Sequence, residues 1–174
     1  KCRTHMELAA SDPARAAEHL EAAAAADPWS AEPWRRLADL EFNLWLQTSD
    51  IDAYRRFERA VAALAWLNPE SSETWSTIGD WYALAASKTD RLGNRADPYA
   101  VNKRAEACCR AVEFYPNSAM NRAKLAEAFL ALGNRRAFRS EAETALRLDA
   151  ATPHADKKLP APLRRKLTAD LSEK

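Results

Sequence analysis

The feature that most constrains this chain is a sequence pattern that recurs three times. Each copy begins with a proline that is followed two residues later by a serine: Pro28 and Ser30, Pro69 and Ser71, Pro116 and Ser118. Each serine is predicted to start a helix, because its hydroxyl can accept an orphan backbone N–H there. Six, nine and ten residues after each proline come a large, an aliphatic and a small residue: Trp34-Leu37-Ala38, Trp75-Ile78-Gly79 and Arg122-Leu125-Ala126. Spacings of three and four residues place these side chains on one helix face.

A second apolar stripe indicates that each such helix has a partner helix. Before Pro28 it consists of Ala16, Leu20 and Ala23, and in the last copy of Phe138, Ala142 and Ala145. The small residue in the middle of each first helix would let the second helix approach closely. Such a pair cannot bury its apolar face alone, so pairs stack on one another. With only three glycines in 174 residues, the pattern predicts an all-α solenoid without strands.

These motifs resemble the tetratricopeptide-repeat family over about residues 5 to 150. The string from Trp75 to Tyr82 is similar to the first-helix signature of the family, and the Ala16, Leu20, Ala23 and Pro28 spacing to the second. The resemblance implies a right-handed α-solenoid of stacked antiparallel helix pairs that binds other proteins. The prolines recur after 41 and 47 residues, against roughly 34 in the family. The extra residues are predicted to lengthen the helices around residues 48–50 and to form a polar loop over residues 88–98.

We therefore predict a single domain over residues 1–174, with repeats at about 1–28, 29–69, 70–116 and 117–150. Residues 151–174 are predicted to form a linker and a capping helix, because Leu163, Leu167 and Leu171 recur every four residues behind Pro162. The basic residues of this helix are either a solvated face or a site for an anionic partner such as a lipid head group: Arg164, Arg165 and Lys166, with Lys157 and Lys158 before them.

Catalysis is not predicted, and neither is a cofactor or a metal site. His5, His19 and His154 fall in different parts of the chain without a ligand or triad spacing, and no nucleophile or phosphate-binding motif occurs. The three cysteines lack a CxxC spacing and are expected to be free thiols. Lys and Arg number 26 against 25 Asp and Glu, which argues against a nucleic-acid partner. No apolar run approaches the roughly 18 residues that span a bilayer.

The candidate binding surface is an acidic column beside a mostly apolar one. Asp39, Asp80 and Glu127 lie five residues beyond the Trp34-type position, which is about 140° from the packed stripe. The family resemblance implies that this direction is a concave groove. The apolar column comprises Phe42, Ala83 and Leu130. We expect a protein or peptide partner with basic and apolar side chains; alternatively, the acids are solvated and the apolar residues pack against the next repeat. Repeats that grip acidic chaperone tails carry lysine and asparagine in the groove. The matching places here hold Arg35, Ser76 and Ala123, followed by the three acids, whose carboxylates would repel such a tail.

Six tryptophans are many for this length. Trp34 and Trp75 belong to the repeat, and Trp75 is expected in the core. The others are expected to pack between helices, with Trp29 and Trp45 as candidates for exposure, because tryptophan is enriched at binding hot spots.

Two narrower resemblances imply alternative functions. The strings around Asp27–Trp34, Tyr115–Ser118 and Thr152–Leu159 are similar to the soluble repeat tails of bacterial O-antigen ligase-like membrane proteins. That would make the chain an accessory tail in surface-polysaccharide assembly, a soluble bacterial domain tethered to the inner membrane on a side left open. The segment Tyr54–Ala60 resembles the HAT repeats of RNA-processing scaffolds. The chain begins at Lys1 without methionine, so we expect an excised piece whose N-terminal end exposes apolar surface for self-association.

Overall fold

A computed structural model describes residues 1–12, 15–91 and 97–172 of the chain. Its helices are α1 (Cys2–Ser11), α2 (Ala16–Ala26), α3 (Ala31–Thr48), α4 (Ile51–Leu67), α5 (Ser72–Arg91), α6 (Pro98–Phe114), α7 (Ala119–Ala131), α8 (Arg135–Ala151) and α9 (Ala161–Ser172), with a 3-10 turn at Ala155–Lys157. The described residues contain no strand. The all-α prediction is therefore confirmed.

The chain forms two compact units, Lys1–Pro69 and Glu70–Lys174, called here the N-terminal and the C-terminal unit. In the N-terminal unit, α1 packs on α2 and α3 on α4, with further contacts between α2 and α3. In the C-terminal unit, α5 packs on α6 and α7 on α8, α6 contacts α7, and α9 lies against α8. Successive helices thus pack as pairs within each unit, while the four predicted repeat boundaries and the single domain stay predictions.

The repeat that contains α3 differs from the other repeats in the position of its aromatic core residue. Phe42 comes one residue later than the matching aromatic residues, yet its side chain is 2% exposed and packs on Phe57 at a centroid distance of 4.9 Å. Glu41 stands at the position that the aromatic residue occupies in the other repeats. It is also buried, and its carboxylate binds Arg56 Nε at 2.9 Å. A buried carboxylate requires such a partner. Phe42 was predicted for the apolar column beside the acidic residues; its ring lies in the core of this unit, as the alternative of packing within the protein would have it.

The helices were predicted to lengthen around residues 48–50, and the turn between α3 and α4 lies there. Ser49 adopts a left-handed conformation with φ 60°, and the Asp50 side chain accepts the Asp52 N–H at 2.9 Å to start α4. Ser71 and Ser118 likewise accept backbone N–H groups of α5 and α7 at 3.2 Å. Ser30 stands at the start of α3 but its hydroxyl makes no capping bond, so the capping prediction fails there.

The C-terminal unit buries one large cluster beneath its last helix. Phe138, Ala142, Ala145 and Leu167 are at most 1% exposed, and Leu163 and Leu171 pack against the same cluster. The predicted capping helix is therefore present as α9. At the other end of the unit, α5 continues through Arg91, so the first part of the predicted 88–98 loop is helical; Leu92 to Ala96 lie outside the described residues.

The tryptophans follow expectation only in part: Trp81 is buried and Trp29 is exposed as expected, whereas Trp75 and Trp66 depart from it. Trp75 is only partly buried, whereas Trp81 is 6% exposed and belongs to the core. Trp29 and Trp66 are 77% and 67% exposed and stack on each other with centroids 5.7 Å apart. Trp66 was expected between helices; it lies instead near the end of α4, where Trp29 from the preceding turn covers only one part of its ring. Trp45 is partly buried against Phe42 and Tyr54.

Candidate functional site

The C-terminal unit contains a solvent-open cavity of about 430 Å³. Four helices contribute to it: Ala83, Leu84 and Ser87 from α5, Arg104 from α6, Glu127, Leu130 and Ala131 from α7, and Lys166 from α9. Spacings of three and four residues place the α5 and α7 contributions on one face of each helix. The volume falls in the usual range for ligand sites.

Three charged side chains form an ion-pair triad in this cavity. Glu127 accepts a hydrogen bond from Arg104 Nη2 at 3.2 Å and a second from Lys166 Nζ. The Arg104 and Glu127 side chains are 16% and 20% exposed, and Lys166 is 56% exposed. Salt screens partly buried charges less than exposed ones. Two cations therefore bind one carboxylate at a site where solvent and salt only partly screen their attraction for a charged ligand.

An apolar wall lies beside the triad. Leu84 is 54% exposed, and Leu130 and the two alanines line the same cavity. The site thus combines an aliphatic surface with hydrogen-bonding cations, which is the composition that holds and orients small ligands or side chains.

The structure brings together three of the seven residues predicted for the ligand groove, Ala83, Glu127 and Leu130. Asp80 lies on α5 outside the cavity lining; Lys124 Nζ binds it at 2.7 Å and also donates to Ser76 Oγ at 2.7 Å.

Asp39 and Arg35 belong to the N-terminal unit, where they form an ion pair at 3.7 Å on α3. Each predicted acid therefore has a cationic partner within the chain.

Sequence reasoning missed Arg104, Leu84 and Ser87, and it named Lys166 only as part of the basic face of the capping helix. Arg104 is on the second helix of a pair and Lys166 on the capping helix, so neither falls on the column that the repeat defines. A long-range pairing of Lys166 with Glu127, 39 residues earlier, has no local signal. Leu84 follows Ala83 directly and was passed over because only one position per repeat was followed.

The basic residues of the C-terminal segment mostly hold that segment in place. Asp149 is 2% exposed; its carboxylate accepts the Leu159 N–H at 2.6 Å and lies 3.5 Å from Arg164 Nη1. Its carbonyl oxygen accepts Lys158 Nζ at 2.8 Å. Together with the pair of Lys166 and Glu127, these contacts fix α9 and its linker, which favours the reading that the cluster is part of the cap.

The described residues offer no group of three histidine, cysteine or acidic side chains placed to hold a metal ion. Within the same residues, no helix is both long and apolar enough to cross a bilayer. The Cys108 thiol is buried against α5, and burial raises its pKa to about 11, which makes it a poor nucleophile.

Comparison with solved structures identifies the fold. The protein TTC0263, a thermophilic TPR protein of Thermus thermophilus, aligns over 98% of this chain and 77% of its own, with a TM-score of 0.61 and 20% identity. MamA (MSR-1 C2) aligns over 79% of this chain and 67% of its own, with a TM-score of 0.50 and 18% identity. No protein-family model and no curated protein sequence matches the chain. The chain thus has the tetratricopeptide-repeat fold that its repeat pattern predicted, while the O-antigen ligase-like and HAT-like functions stay predictions.

Proposed function

We propose that this chain is a non-catalytic scaffold that binds a peptide segment of another protein, and that the cavity of the C-terminal unit is a ligand site. The observation that carries the proposal is the exposed Leu84 beside the triad of Arg104, Glu127 and Lys166. Helical-repeat folds present extended surfaces on which partner segments lie. An open cavity of this size accepts one or two side chains of such a segment, with the rest of the segment lying over the helices.

The cavity has features of a recognition site rather than of a reaction site. Its polar groups are a guanidinium, an ammonium and one carboxylate, all engaged with one another. The lining includes one hydroxyl, and Ser87 Oγ donates to the Ala83 carbonyl at 2.9 Å, as expected for a serine on a helix surface. None of the lining residues is a histidine or cysteine. These groups can bind and orient a ligand, and the hydroxyl and the ammonium of the lining are engaged with a backbone carbonyl and a carboxylate rather than with an activating base.

Asp39, Asp80 and Glu127 suggested a preference for a basic ligand. Such a ligand would have to compete with the cations of the chain that already bind these carboxylates. Arg35, Lys124 and the Arg104–Lys166 pair already neutralise these carboxylates. A ligand cation would have to displace them, so its gain would be smaller than free carboxylates would give. The basic partner stays a prediction, to be tested together with its opposite below.

The test is peptide selection by display against the full chain, followed by calorimetry with the selected peptides. Leu84→Asn removes the exposed apolar side of the cavity. The matched control is Leu132→Asn, because Leu132 is also exposed, at 40%, and does not line the cavity. Both are surface changes with small expected effects on stability.

We expect Leu84→Asn to weaken binding about tenfold, which corresponds to the loss of roughly 1.4 kcal/mol of apolar contact. Leu132→Asn should leave the affinity within about twofold of the parent. Equal affinities for all three proteins would show that the selected peptides bind elsewhere. Failure to select any peptide would refute the scaffold proposal itself.

A further inference from the structure

We infer that the cavity of the C-terminal unit selects an acidic side chain flanked by aliphatic residues, so that the partner segment carries Asp or Glu rather than Lys or Arg. This inference rests on the proposed function, since it names the ligand chemistry of the same site. It reverses, for this cavity, the charge preference that the acidic column alone suggested.

The first argument is the charge of the lining. Arg104 and Lys166 contribute two positive charges and Glu127 one negative charge, and the other lining residues are uncharged. The net charge is therefore positive. An anionic group entering the cavity is attracted, whereas a cationic group meets two like charges whose repulsion the single carboxylate only partly offsets.

The second argument is the supply of hydrogen-bond donors. A guanidinium has five N–H groups and an ammonium three. Among the described residues, Arg104 uses one of its donors on Glu127 and Lys166 also uses one. Both cations line the cavity, so donors are left over for a ligand oxygen. Glu127, in contrast, already accepts one hydrogen bond on each carboxylate oxygen and has less to offer an entering cation.

The third argument is the geometry of the triad. Arg104 lies on α6, Glu127 on α7 and Lys166 on α9, and Glu127 holds the two cations at hydrogen-bonding distance from one oxygen pair. A second carboxylate could bind the outer N–H groups of the same cations, since Arg readily forms forked contacts with carboxylates. Glu127 is then a positioning residue. It also limits the affinity for an anionic ligand, because it neutralises part of the positive charge of the two cations.

The fourth argument concerns the flanking residues. Leu84 and Leu130 line the cavity with the triad, and Leu84 is more than half exposed. A ligand residue next to the carboxylate would cover this surface. The site thus fits a short segment in which aliphatic and acidic residues alternate. The acidic residue would contact the two cations, and the aliphatic residues would cover Leu84 and Leu130.

The experiment uses three labelled peptides with blocked ends that differ only at the centre: Leu-Glu-Leu, Leu-Gln-Leu and Leu-Lys-Leu cores of equal length. Blocking the ends removes the terminal charges, so the central side chain is the only source of charge. Affinity for the full chain is measured by fluorescence anisotropy at low and high salt. We expect the Glu peptide to bind about fivefold more tightly than the Gln peptide and the Lys peptide to bind most weakly. Salt should weaken the Glu peptide most.

Matched variants assign this preference to the triad. Lys166→Gln removes one cation of the cavity. Arg165→Gln removes one positive charge from the adjacent residue of α9, and Arg165 does not line the cavity. The first should reduce the preference for Glu over Gln to about twofold or less, and the second should leave it unchanged. Glu127→Gln keeps the shape and removes the competing charge, so it should raise the affinity for the Glu peptide about threefold or more.

Two outcomes overturn the inference: equal or tighter binding of the Gln or Lys peptide, or no response of the Glu preference to Lys166→Gln. If all three peptides bind equally and Leu84→Asn weakens each of them, the scaffold proposal stands and the acidic preference fails. If peptides selected by display bind but lack an acidic residue, the acidic preference also fails while peptide binding remains. If neither selected nor designed peptides bind, both proposals fail.

Discussion

Gly79→Ala should destabilise the protein, although alanine is the better helix former. Gly79 lies within α5, and a Cβ atom placed on it would come 3.0 Å from Cys108 Sγ and 3.8 Å from Ala107 Cβ on α6. Replacing an interior helical glycine by alanine gains about 1 kcal/mol of intrinsic propensity. Forcing a methyl group into a packed contact costs about 1–3 kcal/mol. We therefore expect a net loss of unfolding free energy of about 0–2 kcal/mol.

Removing the sulfur should reverse the sign. In the Cys108→Ala background the close neighbour of the new methyl group is gone, so Gly79→Ala should stabilise the protein by about 1 kcal/mol. The coupling energy of this double-mutant cycle should be about 1–3 kcal/mol, as for residues in direct contact. Cys109→Ala provides the control, because Cys109 is exposed and should couple to Gly79→Ala by no more than about 0.5 kcal/mol.

The assay is urea unfolding of the parent, the single variants and the double variants under reducing conditions, monitored by circular dichroism. If the slope of the unfolding free energy against urea concentration is the same across the series, the free energies can be compared directly. The reasoning is refuted if Gly79→Ala stabilises the parent by the full propensity gain, because α5 and α6 would then leave room for the methyl group. It is also refuted if the loss is the same with and without Cys108.

Three further predictions concern the core, a turn and the buried thiol. Leu167→Ala should lower the unfolding free energy by about 3 kcal/mol, because the side chain is fully buried and its loss leaves a cavity; hydrogen exchange should accelerate in α9, and unchanged exchange there would contradict its role as a cap. Gly133 has φ +74° with free space around its missing Cβ, so Gly133→Ala should cost about 1 kcal/mol through backbone strain alone, and a neutral result by thermal unfolding would disprove this. Burial raises the pKa of Cys108 from 9.0 to about 11, so the unfolded thiol ionises first as pH rises; stability should fall by on the order of 2 kcal/mol between pH 9 and 11, and this component should be absent from the pH profile of Cys108→Ala.

The position of the candidate site was only partly visible in the sequence. Ala83, Glu127 and Leu130 were identified because the repeat carries their positions along one helix face, and they do line one cavity. The sequence predicted only the acidic column, whereas this cavity is also lined by Arg104 and Lys166, which come from elements that the column does not include. A pattern within one helix fixes which side chains share a face, but it does not fix which side chain of another helix meets them.

The buried carboxylates show the same limit. Glu41 and Asp149 are each 2% exposed, and neither was singled out. Each is stabilised by partners that are distant along the chain or on another helix, Arg56 for Glu41 and the Leu159 N–H with Arg164 for Asp149. Since an acid is ordinarily expected in solvent, only the packed structure shows that these two are inside.

The sequence by itself determined the helical repeat. Helix phase and the caps formed by Ser71 and Ser118 are set by contacts within about one turn of helix, and such contacts can be read from spacing. The tertiary structure alone decided that Phe42 turns inward, that Trp29 and Trp66 are exposed together, and that Lys166 meets Glu127. These outcomes depend on how separate helices dock, because the neighbours that bury a ring or neutralise a charge are brought together only when the chain has folded.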